Sequence, residues 1–172
     1  MSIITISKTI DDYIISLGNW LSWLALFLVL IVCISVFLRY VLGISSLGFD
    51  ELQWHIYAFG FLMGFPYCTA ADTHIRNDLL FSNFSELTKL RIDLVSHLLV
   101  LLPFVVVILY HSWFFVMRAY VNMEGSIDEG GLQYRWIIKS TLLLAFALLG
   151  IAAITRSIQL ASKITNLKGN YK

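Results

Sequence analysis

Charged residues are scarce in this 172-residue chain: Asp, Glu, Lys and Arg together make up 13% of it, about half the share of an ordinary soluble domain. There are two prolines and two cysteines, and the formal net charge is +1. No run of Lys and Arg occurs anywhere, which excludes nucleic acid as a partner, because phosphate neutralisation needs clustered cations. Neither a nucleophile elbow, a Gly-rich phosphate loop nor an H-E-x-x-H metal spacing is present, so the chain reads as no enzyme. The best catalytic grouping, Asp50 and Glu51 with His55, is better explained by acidic residues favouring the positive end of a helix dipole. No Asp or Glu falls in the apolar core of any candidate span, and a self-sufficient ion-coupled carrier normally needs one there, or broken helices opposed at the midplane.

What the chain has is apolar length. Hydrophobic residues make up 59% of it and the mean hydropathy is +0.80. Four stretches approach the roughly 20 residues that cross a bilayer: Leu17–Leu38, Leu52–Ala71, Leu94–Met117 and Trp136–Ile154. The expected fold is therefore all-α and integral to the membrane, one four-helix domain over residues 1–172, with about half the chain in the spans and no room for a soluble domain. Asp11 and Asp12 beside Lys8, an overlong apolar run and the lack of a small-x-small site argue against a cleaved leader. Lys139 lies three residues inside the fourth span, near enough to its end to snorkel outward.

Orientation follows from the cations. With both termini cytoplasmic, eight of the twelve Lys and Arg fall on the inner side and four on the outer, as the positive-inside rule asks. Tyr40, Trp54, Tyr57, Trp113, Tyr120, Tyr134 and Trp136 then mark the outer interface, with Trp20, Trp23 and Tyr67 at the inner one. Between the second and third spans, Leu80, Phe84, Leu87, Leu90, Ile92 and Leu94 form an apolar stripe opposite Ser82, Ser85, Glu86, Lys89 and Asp93. This pattern predicts an amphipathic helix over about residues 78–93, capped by Asn77 or Asp78 and lying in the cytoplasmic interface. Val41–Glu51 and Asn122–Gly131, rich in Gly, Ser and acidic residues, read as outer loops.

Cys33 lies about 24 Å from the inner end of its span and Cys68 about 4 Å from the inner end of the next, so they cannot meet and no disulfide or thiol-based metal site is expected. The histidines leave one alternative function open: a haem b-binding membrane anchor of an oxidoreductase, with His55 and His111 at one depth and His74 and His97 at another. Arg39 shares a depth with Asp50 and Glu51 and is placed to clamp the first span to the second by an ion pair. Gly60 and Gly64 form a small-xxx-small pair that lets a helix backbone approach closely, from within the chain or from a partner.

Arg39-Tyr40, then Asp50-Glu51-Leu52 opening the second span, then His74 and Asp78 in the segment His74-Ile75-Arg76-Asn77-Asp78, together resemble the small membrane subunit of tripartite ATP-independent periplasmic (TRAP) transporters, the DctQ type. The resemblance runs over all four spans, and its specific motifs lie in the first half. Members often carry prolines near the fourth span, whereas here Trp136 is followed by Lys139 and no proline. The resemblance implies a soluble periplasmic binding protein that captures an organic acid of the sialic acid or C4-dicarboxylate class. It further implies a large membrane subunit that carries the acid inward with sodium, and a small subunit, this chain, that braces the carrier in the bacterial inner membrane. It marks Arg39, Tyr40, Asp50, Glu51, Leu52, His74 and Asp78 as signature positions that fix helix ends, with no cofactor. Asp50, Glu124, Asp128 and Glu129 in the outer loops are candidates for docking the periplasmic protein through charge steering.

Overall fold

The computed structural model describes residues 3–73 and 84–170, with the side chains of 168–170 excepted. Its elements are α1 (Ile3–Leu21), α2 (Trp23–Val41), α3 (Leu47–Ala70), α4 (Glu86–Ser96), α5 (Leu102–Val121) and α6 (Trp136–Asn170), with a π-helical turn, His97–Leu101, joining α4 to α5. No strand occurs among the described residues. Among the described residues, three helical stretches are long and apolar enough to cross a membrane: Ile3–Val41, Glu86–Val121 and Trp136–Leu167. The expected second span is also a helix, 24 residues long. It falls outside those three because Gln53, His55, Tyr57, Gly60, Gly64, Pro66 and Tyr67 dilute its apolar character.

The first helical stretch starts at Ile3, well before the Leu17 expected from hydropathy. Its inward stripe, Ser7, Asp11, Ile14, Gly18, Leu21, Leu24, Leu28, Ile31, Ser35 and Leu38, repeats every three or four residues through both α1 and α2. The junction is Ser22, whose hydroxyl donates to the Asn19 carbonyl at 2.7 Å. The Ala25 amide meanwhile bonds the Ser22 carbonyl, three residues back, instead of the usual fourth. Such back-bonding by serine loosens the ladder and bends a helix.

The connector after the expected second span is described from Phe84 onward. Its described helix begins at Glu86 and Ser85 is the cap, its hydroxyl accepting the Thr88 amide at 3.3 Å. Asn77, Asp78 and Leu80 lie outside the described residues. From Glu86 the chain stays helical to Val121, 36 residues, so the described part of the connector runs on into the expected third span. Pro103 explains the π-turn on the way. It has no amide hydrogen for the Leu99 carbonyl and its ring crowds that oxygen. Widening the turn relieves this, and the Leu102 amide bonds His97 oxygen, five residues back.

α6 starts at Trp136 as expected but continues to Asn170, far beyond Ile154. Hydropathy falls after Ile154 because Thr155, Arg156, Ser157 and Gln159 enter, yet Thr155, Ser157 and Gln159 are buried. The helix persists because that face is covered by α1 and α4. α6 is the central element, packed against α3 and α5 along its apolar half and α1 along its polar half. One core cluster joins Val105, Phe146 and Leu149 with Leu62 and Phe65, and another joins Ile14, Ala70 and Ala152. Small residues allow the close approach: Ala119, Ala145, Ala152 and Ala153 are sealed from solvent, and a side chain on Gly150 would meet Val105. Tyr67, expected in an aromatic belt, is a packing residue whose ring lies over Gly18, where a Cβ would run into it. Trp20, Trp23, Tyr40 and Trp54 are exposed.

Candidate functional site

Asp50 sits in the first turn of α3, which follows Ser46 in extended backbone, and Glu51 comes directly after it. Adjacent helical residues point about 100° apart, so the two carboxylates face different neighbours. Asp50 turns to α2. It forms an ion pair with Arg39 and accepts the Ser35 hydroxyl at 3.1 Å. The expected clamp between these helices therefore exists, but it uses Asp50 alone.

Glu51 turns the other way, to the connection between α5 and α6. Its carboxylate accepts the Ser126 hydroxyl at 2.5 Å, the Leu132 backbone N–H at 2.6 Å and the Arg135 guanidinium at 3.0 Å. Its side chain is 13% exposed. The Ser126 hydroxyl above all, then the Leu132 amide, hold the Glu51 carboxyl down to about 2 from an ordinary 4.5, with Arg135 assisting. Hydrogen bonds made only to the ionised form have this effect.

The loop around that carboxylate is itself folded. The Ser126 amide bonds Leu132 oxygen at 3.0 Å, and the Arg135 amide bonds Glu124 oxygen at 2.8 Å. Met123 and Tyr134 take left-handed conformations near its two ends, with φ of 46° and 61°, each costing roughly 1 kcal/mol for a non-glycine residue. Gly131 is required by space: a Cβ there would overlap Ser126 Oγ and fall 2.9 Å from a Glu51 carboxylate oxygen. Lys139, expected to snorkel outward, reaches Glu124 of this loop at 2.5 Å and covers the Phe115 ring at 4.1 Å. The tip of the loop is open, with Asp128 and Glu129 exposed and Ile127 94% exposed. Among the docking candidates, Asp50 and Glu124 thus have partners within the chain, while Asp128 and Glu129 face solvent.

Sequence reasoning misses Ser126, Leu132 and Arg135. Their signal is faint: a glycine-rich loop followed by Arg135, opposite an acidic helix start. Tyr40 and Leu52 are exposed. At Gly60 and Gly64 the space a side chain would fill is open, with no atom within 4 Å, so no described helix of this chain makes the close approach there. They line an apolar cleft of about 370 Å³ between the α1–α2 junction and α3, with Ser22, Leu28 and Tyr57 on its walls. His74 and Asp78 lie outside the described residues.

At the far end of the bundle lies a polar contact that has no local signal in the sequence. Asp11, 5% exposed, accepts the Thr155 hydroxyl at 2.5 Å and the Gln159 amide at 2.6 Å. Nearby, Arg156 forms an ion pair with Asp72 just beyond α3. Every buried side-chain nitrogen and oxygen among the described residues has a hydrogen-bond partner. His55 and His97 each donate Nδ1–H to the carbonyl four residues back in their own helix, and Cys33 and Cys68 are free. The contacts of Asp11, Asp50, Glu51 and Asp72 fasten helix to helix and loop to helix.

The model of the family described as tripartite ATP-independent periplasmic transporters, DctQ component, matches residues 28–163, well over half of the chain. The chain belongs to the DctQ family. No curated protein matches it. The matched stretch begins inside α2 and ends inside α6, so it includes the Arg39–Asp50 pair and the whole Glu51 cluster, and leaves α1 out. As a DctQ protein the chain is a small membrane component of a TRAP transporter, helical and at home in the bacterial inner membrane. The match lends no support to the haem-anchor alternative.

Proposed function

We propose that this DctQ protein is the non-catalytic brace of its transporter: it holds the large membrane subunit in place while that subunit carries an organic acid inward with sodium. In this reading the acid, of the sialic acid or C4-dicarboxylate class, arrives on a periplasmic binding protein. The chain spans four times, α3 included, with both termini in the cytoplasm and the Glu51 cluster on the periplasmic side. The family match carries the reading. The distribution of polar groups supports it: the carboxylates of Asp11, Asp50, Glu51 and Glu124 are all engaged by donors from the same chain, which suits a static part. So does the apolar surface. On α2 only Ile31 is buried, leaving Leu26, Phe27, Leu30 and Phe37 for lipid or a partner. Gly60 and Gly64, with open space beside them, are offered for close packing.

Reconstitution tests the assignment. The chain alone in vesicles passes no solute. Adding the large subunit and the loaded binding protein gives sodium-driven accumulation that weakens when the chain is left out. Accumulation by the lone chain overturns it. For docking, Asp128 and Glu129 carry the expectation: reversing both charges slows uptake and flattens its salt dependence, and unchanged uptake and salt dependence remove the docking role.

A further inference from the structure

The three faces of α1 differ in chemistry. The first is buried on α6 and α3 through Ser7, Asp11 and Ile14, with Asp11 hydrogen-bonded to Thr155 and Gln159. Two exposed faces flank it. Ile3, Ile6, Tyr13, Leu17 and Trp20 occupy one, Tyr13 being 72% and Trp20 74% exposed. Lys8, Asp12, Ser16 and Asn19 occupy the other and are also exposed. At about 100° per residue these two sets centre roughly 130° apart, and the buried set fills the remaining side. A helix surrounded by water gains nothing from the apolar exposed set, and one immersed in hydrocarbon cannot carry the polar one. Both are satisfied where water meets lipid, and Tyr and Trp favour that depth. Beyond Ser22 the apolar face runs on into the exposed apolar surface of α2, through Trp23, Leu26 and Phe27.

We infer that α1 is a membrane-surface helix, its Ile6–Tyr13–Leu17–Trp20 face set into the lipid headgroup boundary and its Lys8–Asp12–Ser16 face in water, with Asp11 pinning it to α6. The contact is with a bilayer surface of ordinary phospholipid. Lys8 and Asp12 offset each other, so no preference for anionic headgroups follows. Only the choice of leaflet, the cytoplasmic one, rests on the proposed orientation.

The test is spin-label accessibility in the full-length chain, with Cys33 and Cys68 replaced by alanine. The chain is assembled with the large subunit in nanodiscs of phosphatidylethanolamine and phosphatidylglycerol, and in parallel is inserted alone. Single nitroxides are placed by Ile6→Cys, Tyr13→Cys and Leu17→Cys on one face and by Lys8→Cys, Asp12→Cys and Ser16→Cys on the other. All six positions are exposed, so the labels spare the Asp11 contact. Oxygen concentrates in lipid and a neutral nickel chelate stays in water, so the expected ratio of oxygen to nickel accessibility is several-fold higher at the first three sites, alternating with the helical period. Nickel access at all six sites overturns the inference in favour of a helix in water. Access to neither reagent at the first three sites, in the assembled sample, overturns it in favour of a protein-covered face. Failure of the large subunit to co-purify counts against the proposed function and leaves the accessibility pattern of the lone chain to decide this one.

Discussion

Asp50 and Glu51 are consecutive acids whose surroundings make them unlike. Asp50 is held by a cation and a serine hydroxyl from α2, while Glu51 is enclosed by a hydroxyl, an amide and a guanidinium from the loop before α6. Glu51→Gln is isosteric but removes the negative charge that all three donors share. The expected outcome is a lower melting temperature in detergent and faster proteolysis between α5 and α6. The depressed Glu51 pKa makes the same contact pH-dependent. Because the folded value lies below the unfolded one, its stabilisation is complete above about 4.5 and is lost as pH falls from there to about 2. Thermal melts across that window show a decline in the natural protein that is smaller in the Gln variant. Gly131→Ala tests the space around the carboxylate, since a methyl there overlaps Ser126 Oγ and crowds Glu51. Overpacking of this kind costs about 1–3 kcal/mol, measurable by denaturant unfolding.

Between elements, two polar contacts decide how the helices are fastened. The Arg39–Asp50 pair joins α2 to α3 across the short turn that contains Gly43 at φ 67°. Its Arg side is half-exposed, so the pair itself is worth only about 1 kcal/mol. Asp50→Arg places two cations side by side and lowers recovery of folded protein, and combining it with Arg39→Asp restores much of the loss. The Asp11 contact is buried, and its removal costs more. Asp11→Ala takes the acceptor from the Gln159 amide and leaves the Thr155 hydroxyl only the Ala152 carbonyl of its own helix, a penalty of about 1–3 kcal/mol. Hydrogen exchange should then quicken over Ile3–Leu21 while the core around Val105 and Phe146 keeps its protection.

For the whole molecule, the balance of buried and exposed apolar surface is that of a part. The core is narrow, built along α6, and large apolar side chains cover the outside of α2 and α5. Gly64→Leu separates the chain's own stability from its assembly. With no neighbour within 4 Å of that position, the substitution leaves the melting temperature of the isolated chain unchanged or raised, since leucine favours helix over glycine by close to 1 kcal/mol. Recovery of the intact complex with the large subunit in detergent falls, and recovery equal to the natural protein's refutes a close-packing role for this face.

Hydropathy and residue periodicity are enough to reveal a helical membrane protein, the long apolar helices α5 and α6, the start of α6 at Trp136 and the pairing of Arg39 with an acid at the next helix start. The reason is local: apolar run length and helix-end charge act within a few residues, and the chain records them directly. Where α1 begins and α6 ends is not legible, because those segments are helical through burial of Ser7, Asp11, Thr155 and Gln159, with Asp11 meeting partners 144 and 148 positions away. The partners of Glu51 are hidden for the same reason, since Ser126, Leu132 and Arg135 become its donors only after the loop closes on α3. Composition and periodicity thus determined the solvent this chain belongs in. Which polar groups meet was left to the packing of distant helices, because a hydrogen bond between them depends on distance and direction that no single stretch of sequence contains.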